Sequence, residues 1–355
     1  MTSSQRRWVW FGVMAVILGL IALNFSRSPE WRHFSGVKFW AAMLHASPSY
    51  LLAAVATTMS SYVIRAYRWG AFLDPIKKTS LWVLFVGQIL GFSSIYLIGR
   101  PGEFVRPAYI ARKVGVPITT MVAIWLLERV YDTVMLVLIF AAALYFSALD
   151  PVAAGTGTIR THLDEAGLVM FIVTTLMVIL LIYFRLRADD LRPRLVNKFR
   201  FLGPRAQHHL DHFLQSFADG LKVINSGKAL AASIISTVVL WIMNVSVVFL
   251  IVRSLGGELA QISWLAAAMA VFFAVMGLAI QIPGIGGGYQ VGIILALTEL
   301  FNVGVEAATG AAILVWIMVA TPCLAVGAVL LVHEGLTLRK LKAIAEEERA
   351  LVNEE

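Results

Sequence analysis

Long apolar runs alternate with short polar stretches along almost the whole chain. A helix needs about 20 apolar residues to cross a hydrocarbon core of about 30 Å. Eight runs approach or exceed that length, namely 8–25, 49–67, 81–98, 122–149, 167–184, 229–252, 262–282 and 308–332. The pattern therefore predicts an all-α, polytopic helical membrane protein, with the whole chain forming a single integral membrane domain.

Composition agrees with this prediction. The chain of 355 residues is 59% apolar and 14% charged, whereas about 25% of a soluble domain is charged. The net charge of +8 is expected to orient the protein and to meet anionic lipid headgroups, not nucleic acid. The single cysteine, Cys323, excludes a disulfide within one chain and a cysteine-based metal site.

Cations between the runs indicate which ends face the cytoplasm. They concentrate in the loops 65–80 and 185–228 and in the C-terminal tail, which the positive-inside rule places in the cytoplasm. The run 8–25 follows two arginines and lacks a clean cleavage site, so we expect an uncleaved first helix. The sequence predicts a multi-pass protein of the cell (inner) membrane, with both termini in the cytoplasm.

The number of crossings fits these loops only if one run turns back. Three apolar runs separate the first two basic loops, yet two cytoplasmic loops must be joined by an even number of crossings. The run 81–98 leads directly into a basic stretch, and 103–113 is about 16 Å long as a helix, too short to cross. We therefore predict a re-entrant hairpin at 81–113, with its tip near Gly99–Gly102.

The same parity problem recurs in the second half. The run 262–282 ends in a glycine cluster, and the following segment 288–301 is about 21 Å long as a helix. This pair predicts a second hairpin, 262–301, that enters from outside. The two halves, 49–149 and 229–332, then form an inverted repeat with broken helices, which is an architecture of transporters.

The segment 185–228 holds a possible metal-binding pattern, His208, His209 and His212 with Asp211. Apolar residues at helical spacing surround these histidines, so we interpret the segment as a cytoplasmic, basic amphipathic helix lying on the membrane. We predict no metal site and no cofactor. No nucleophile triad or nucleotide-binding motif is present, so an enzyme is not expected.

Three charged residues lie at the first predicted hairpin tip: Arg100, Glu103 and Arg106. They could be solvated loop charges, with Glu103 and Arg106 paired at i, i+3 spacing. Alternatively, Arg100 offers a two-pronged donor to a phosphate or carboxylate.

Three more lie inside an apolar run: Glu128, Arg129 and Asp132. Each ionisable group in a transmembrane helix costs about 2.5–3.5 kcal/mol on insertion scales, so such groups face a cavity or a partner. They form either an internal ion-pair set or a substrate or proton site.

The second predicted tip is rich in glycine. Pro283, Gly284, Gly286, Gly287 and Gly288 interrupt a helix that would otherwise continue. The stretch is either an ordinary turn or an anion site, because free backbone N–H groups at a helix start attract anions.

Four motifs in this order resemble one known family. They are "RAYRW" (Arg65, Arg68, Trp69), "GRPGEFVRP" (Arg100, Gly102, Glu103, Arg106), "ERVYD" (Glu128, Arg129, Asp132) and "PGIGGGYQ" (to Tyr289 and Gln290). Together they resemble the lysylphosphatidylglycerol synthase transmembrane region, or flippase-like, family over roughly residues 50–335. The resemblance implies a lipid translocator without the aminoacyltransferase domain. Two departures are "SSIYLIGRPGE" before the first tip and Gln290 in place of a glutamate.

The functional prediction is a flippase for a lipid with an anionic headgroup, such as a phospholipid or a polyprenyl phosphate. Arg100, Arg106 and Arg129 would contact the phosphate, while the neighbouring carboxylates hold those arginines. The glycine tip with Tyr289 and Gln290 would face them, and Arg65, Arg68 and Trp69 would form a cytoplasmic motif. The alternative is a non-transporting accessory subunit that anchors a glycosyltransferase or lipid-modifying enzyme.

Overall fold

The computed structural model describes residues 34–147, 187–198, 226–278, 281–282 and 286–335, with scattered single positions between 168 and 215. The α-helices of this part are α1 (Gly36–Leu44), α2 (Pro48–Leu73), α3 (Leu81–Ile98), α4 (Val105–Val114), α5 (Ile118–Ser147), α6 (Ala188–Lys198), α7 (Gly227–Ser254), α8 (Trp264–Gly277), α9 (Gly288–Leu295) and α10 (Val305–His333). Arg100–Phe104 and Gly257–Gln261 are 3₁₀ turns, and Ala296–Leu300 is a π turn. A two-residue antiparallel pair, β1 (Gln281–Ile282) with β2 (Gly286–Gly287), closes the second tip. The all-α prediction is confirmed.

Local sequence explains where several helices begin and end. Ser80, Ser226 and Ser263 cap α3, α7 and α8 by accepting a backbone N–H bond from the first turn. Gly99 (φ 75°) ends α3 and Gly115 (φ 69°) ends α4, in a region that only glycine adopts freely. The chain can therefore reverse at both places.

Several of the described helices could span a membrane. The helices α3, α7 and α10 are long and apolar enough to cross a membrane, and the bent pair α1–α2, with a 76° angle, makes a fourth. The protein is therefore embedded in a membrane.

The first predicted hairpin folds back on itself. A Cβ added to Gly91 would lie 2.6 Å from the Cβ of Arg106, and one added to Gly87 would lie 2.7 Å from Cγ1 of Ile110. Contacts that move forward along α4 as they move backward along α3 make the two helices antiparallel. Both ends of the hairpin lie together, because Lys77 Nζ donates to the Val114 carbonyl at 2.5 Å.

The second predicted hairpin folds in the same way. A Cβ on Gly277 would lie 1.9 Å from the carbonyl oxygen of Gly288, and one on Gly292 would lie 2.2 Å from that of Phe273. The helices α8 and α9 are therefore in backbone contact and antiparallel.

The two hairpins begin at opposite ends of the bundle. At one end, Lys113 of the first hairpin forms a 2.7 Å ion pair with Glu334, just past the C-terminus of α10. At the other end, the Gly304 N–H, just before α10 begins, donates to Glu258 Oε2 at 2.9 Å. Since α10 runs from one end to the other, the hairpins begin at opposite ends of the bundle, and their re-entry into a membrane from opposite sides stays a prediction. That the halves form a true inverted repeat stays a prediction.

One part of the sequence interpretation is wrong. The predicted loop 65–80 begins only after Leu73, because α2 continues through Arg65 and Arg68. A pattern search ends a membrane helix at the first arginines, but here Arg68 is ion-paired with Glu128 and Asp132, and Arg65 donates to Asn244 inside the bundle, so the helix continues.

Some predictions lie outside the described residues, and one element was not predicted. These predictions concern the run 8–25, most of 167–184 and of 185–228 with its three histidines, Pro283, Gly284 and the basic C-terminal tail. The short helix α1 was not predicted; it exposes Val37 and Trp40.

Candidate functional site

Glu128 lies at the centre of a buried charge cluster between α2, α4 and α5. Its Oε1 accepts a short bond from Arg68 Nη2 and a second one, at 3.3 Å, from Arg106 Nη1. Its Oε2 accepts from Arg106 Nη2 at 2.5 Å. Because the Glu128 and Arg68 side chains are fully buried and that of Arg106 nearly so, one carboxylate holds together two arginines from different helices.

Asp132, one helical turn after Glu128, continues the cluster towards α7. Its Oδ1 accepts from Arg68 Nη1 at 2.7 Å and from Trp241 Nε1 at 3.4 Å. Its Oδ2 lies 3.3 Å from Arg129 Nη2. The predicted common face of Glu128 and Asp132 is confirmed by their shared partner, Arg68. The Arg129 side chain is 45% exposed, so it connects the cluster with the surface of the bundle.

Arg106 is enclosed on every side that the structure describes. Its Nη1 also donates to Gln88 Oε1 at 2.7 Å, and its guanidinium lies over the Trp69 and Phe92 rings, at 4.7 and 5.6 Å from their centroids. Arg106 pairs with Glu128. The alternative that its i, i+3 spacing allowed, a pair with Glu103, is not formed. The geometry therefore favours a structural role for Arg106 over direct phosphate contact.

Donors outnumber acceptors in this cluster. Arg68 Nε, Trp69 Nε1 and Gln88 Nε2 are buried N–H donors that have no hydrogen-bond partner among the described residues. Such groups are rare in folded proteins, because burying an unpaired donor costs about 1–3 kcal/mol. The cluster thus holds more donor capacity than its two carboxylates satisfy.

The two hairpin tips meet through Arg100, one of the charged residues predicted at the first tip. Arg100 Nη2 donates to the Leu278 carbonyl, just past the C-terminus of α8, at 3.1 Å. Gly102 is buried, and a Cβ there would lie 2.4 Å from the backbone carbon of Ser94. Glu103 lies close enough to Arg129 to interact electrostatically with it. The first tip is therefore joined both to the second tip and to the cluster.

The glycine tip has a packing role that the sequence did not reveal. Gly288 is buried against Gly277, and Gly287 adopts φ 100°. Tyr289 packs against the apolar core of the second half, with Gln290 following it on α9. Gly286 pairs with Ile282 across the tip. Its use as an anion site stays a prediction.

The cytoplasmic motif proves to be part of the cluster. Arg68 and Trp69 are fully buried, and Arg65 donates through Nη2 to Asn244 Oδ1 of α7 at 3.2 Å. Sequence reasoning also missed Gln88, although a single glutamine in the middle of an apolar run was an available signal.

Comparison with protein-family models decides the family. The model described as "Lysylphosphatidylglycerol synthase TM region" matches residues 9–327. The chain belongs to this lysylphosphatidylglycerol synthase family of membrane regions. The predicted resemblance is confirmed, and the match contains every helix described above except the last residues of α10. No curated protein and no solved structure matches the chain. Membership identifies a membrane protein related to lipid modification or transport.

Proposed function

We propose that the protein moves a lipid with an anionic headgroup across the membrane. The observation that carries the proposal is a surplus of positive charge, only partly buried, beside two hairpins whose tips meet. The cluster contains four arginines and two carboxylates, namely Arg65, Arg68, Arg106 and Arg129 with Glu128 and Asp132. The formal charges sum to +2 (4 − 2), or to +1 when the nearby Glu103 is included.

A surplus of this kind favours an anionic ligand on energetic grounds. Each charge inside a bilayer costs about 2.5–3.5 kcal/mol on insertion scales, and an opposite charge offsets that cost. A phosphate that leaves the headgroup region must exchange water for protein donors. Guanidinium groups supply such donors in pairs.

Two arginines are placed to meet the headgroup first. Arg129 is the most exposed member of the cluster, and Arg100 is exposed at the tip contact. We propose these two as the headgroup contacts. Arg68 and Arg106, held by Glu128, shape the site, which revises the predicted phosphate role of Arg106. The location in a cell inner membrane with cytoplasmic termini belongs to the same proposal.

The test is lipid movement in proteoliposomes. Fluorescent phosphatidylglycerol and phosphatidylcholine are reconstituted with the purified protein, and the outer-leaflet fraction is followed by dithionite quenching. We expect faster movement of phosphatidylglycerol than of phosphatidylcholine. In Arg100→Lys, the fork that gives two parallel bonds is lost, so the rate should fall by about tenfold.

Arg253→Lys is the matched control, because Arg253 lies over the Phe249 ring near the C-terminus of α7 and is not a member of the charge cluster. Its rate should equal that of the unchanged protein. Equal movement of both lipids, or no movement above protein-free vesicles, would remove the translocase proposal and leave the accessory-subunit alternative.

A further inference from the structure

Arg65 is a cation whose described partners are all neutral. It donates to the Asn244 amide oxygen at 3.2 Å, and its guanidinium carbon lies 4.9 Å from the centroid of the Phe92 ring. Among the ion pairs of the described residues, none within 4.0 Å links Arg65 to a carboxylate; Asp132 and Glu128 act on it only at longer range. Arg68 and Arg106, by contrast, each form a direct ion pair with Glu128, and Arg68 forms a second one with Asp132.

Two tyrosines from facing helices lie beside this guanidinium. Tyr62 is three residues before Arg65 and therefore lies on the same face of α2. Its ring packs edge-on against Phe92, with centroids 5.3 Å apart. Tyr96 is four residues after Phe92 on α3, so it also shares a face with that ring. Tyr62 and Tyr96 are close enough to interact with each other and with Arg65.

This group lies at the depth of the hairpin tips. Tyr62 is eleven residues before Leu73, the end of α2, which corresponds to about 17 Å at 1.5 Å per residue. Tyr96 is two residues before the end of α3 at Ile98, and it also interacts with Tyr289 at the start of α9. The group is therefore bounded by both hairpins and lies about halfway along α2.

We propose that Arg65, with the hydroxyls of Tyr62 and Tyr96, is the subsite that holds the lipid phosphate midway across the membrane. The inference rests on the proposed function and names its central contact. An arginine beside Asn, Tyr and Phe can offer its charge to a ligand phosphodiester, whereas Arg68 and Arg106 are already ion-paired with carboxylates. Hydroxyl donors around it can complete the coordination of the remaining phosphate oxygens.

The first test is ligand binding by the purified full chain in maltoside micelles, without transport. Isothermal titration uses three probes: dihexanoyl-phosphatidylglycerol, dihexanoyl-phosphatidylcholine and inorganic phosphate. We expect binding of phosphatidylglycerol, and a loss of about tenfold or more in Arg65→Gln, because a charge-assisted pair of bonds is removed. Arg253→Gln, which removes another arginine that lies over a phenylalanine ring, should bind as the unchanged protein does.

Tyr62→Phe is a second variant in case Arg65→Gln does not fold. It keeps the ring against Phe92 and removes only the hydroxyl, so it should fold and bind phosphatidylglycerol more weakly. Full affinity in Arg65→Gln, or in Tyr62→Phe where Arg65→Gln does not fold, would overturn the subsite. Inorganic phosphate binding as tightly as phosphatidylglycerol would overturn its assignment to a lipid.

The proteoliposome assay separates this inference from the proposed function. If the unchanged protein moves phosphatidylglycerol and Arg65→Gln moves it equally fast, the subsite is wrong and the proposed function stands. If the unchanged protein binds phosphatidylglycerol through Arg65 but moves no lipid, the proposed function is wrong and the subsite stands.

Discussion

Replacing Glu128 with glutamine tests whether one carboxylate holds the first half of the bundle together. The substitution preserves the size of the side chain but removes its charge. One carboxylate oxygen becomes an NH2 group, which cannot accept the bonds that Arg68 and Arg106 now donate. The guanidinium group of Arg68 or of Arg106 then faces this NH2 donor in place of an acceptor.

The magnitude follows from the burial of the partners. Hydrogen bonds to charged groups contribute about 1.5–3 kcal/mol each, and leaving one partner of a buried pair uncompensated costs about 3–5 kcal/mol. Arg68 and Glu128 are fully buried and Arg106 is 6% exposed, so solvent does not screen the loss. We expect Glu128→Gln to lower the free energy of unfolding by about 3–5 kcal/mol.

The assay is urea unfolding in maltoside micelles, followed by the fluorescence of the 10 tryptophans. Asp190→Asn is the matched control, because it also neutralises a paired carboxylate, but in an exposed pair with Arg187 whose side chains are 63% and 58% exposed. Such pairs contribute less than about 1 kcal/mol. Unfolding curves of the two variants should therefore differ clearly.

A rescue experiment strengthens the argument. Adding Arg106→Met to Glu128→Gln removes one uncompensated cation, so the double variant should regain part of the lost stability. The argument would be refuted if Glu128→Gln destabilised the protein no more than Asp190→Asn, or if the second substitution only added to the loss.

Two further predictions concern the first hairpin. Gly102→Ala places a Cβ 2.4 Å from the backbone of Ser94, so it should destabilise by about 1–3 kcal/mol in the same unfolding assay, whereas Gly227→Ala, with nothing within 4 Å, should not. The hydrogen bond from Lys113 lowers the pKa of the Glu334 carboxyl. A carboxyl whose pKa is lower in the folded than in the unfolded protein stabilises the fold at a pH above its unfolded-state pKa. This stabilisation is lost as the pH falls through the folded-state pKa. The difference in melting temperature between the unchanged protein and Glu334→Gln should therefore be present at neutral pH and vanish in acid; a difference that persists in acid would contradict it.

Hydrophobic patterning predicted that the chain folds back after α3 and after α8, while the re-entrant character of the two hairpins stays a prediction. The parity of crossings between basic loops required one run in each half to turn back, and α4 and α9 do fold back on α3 and α8. The predicted basic loop 65–80 included Arg65 and Arg68, which in fact lie inside α2. Lys77 and Lys78 alone remain in that loop, and they suffice to mark it as basic.

The site was predicted only in part, for a physical reason. Glu128, Arg129 and Asp132 can be recognised from the sequence alone, since three charges interrupt an apolar helix. Arg68 lies 60 residues before Glu128, and no local pattern indicates that the two meet. Charge compensation between helices is a tertiary property, so the sequence shows that a partner is needed without showing which one.

The position of Glu128 in the chain has a consequence for biogenesis. The arginines that it compensates lie on α2 and α4, which leave the ribosome before α5 does, because synthesis proceeds from the N-terminus. Until α5 emerges, burying Arg68 and Arg106 would cost about 2.5–3.5 kcal/mol each on insertion scales. We therefore expect the first hairpin to dock in its final place only after the next helix has been made. On this expectation, the carboxylate on α5 sets the order in which the first half of the protein assembles.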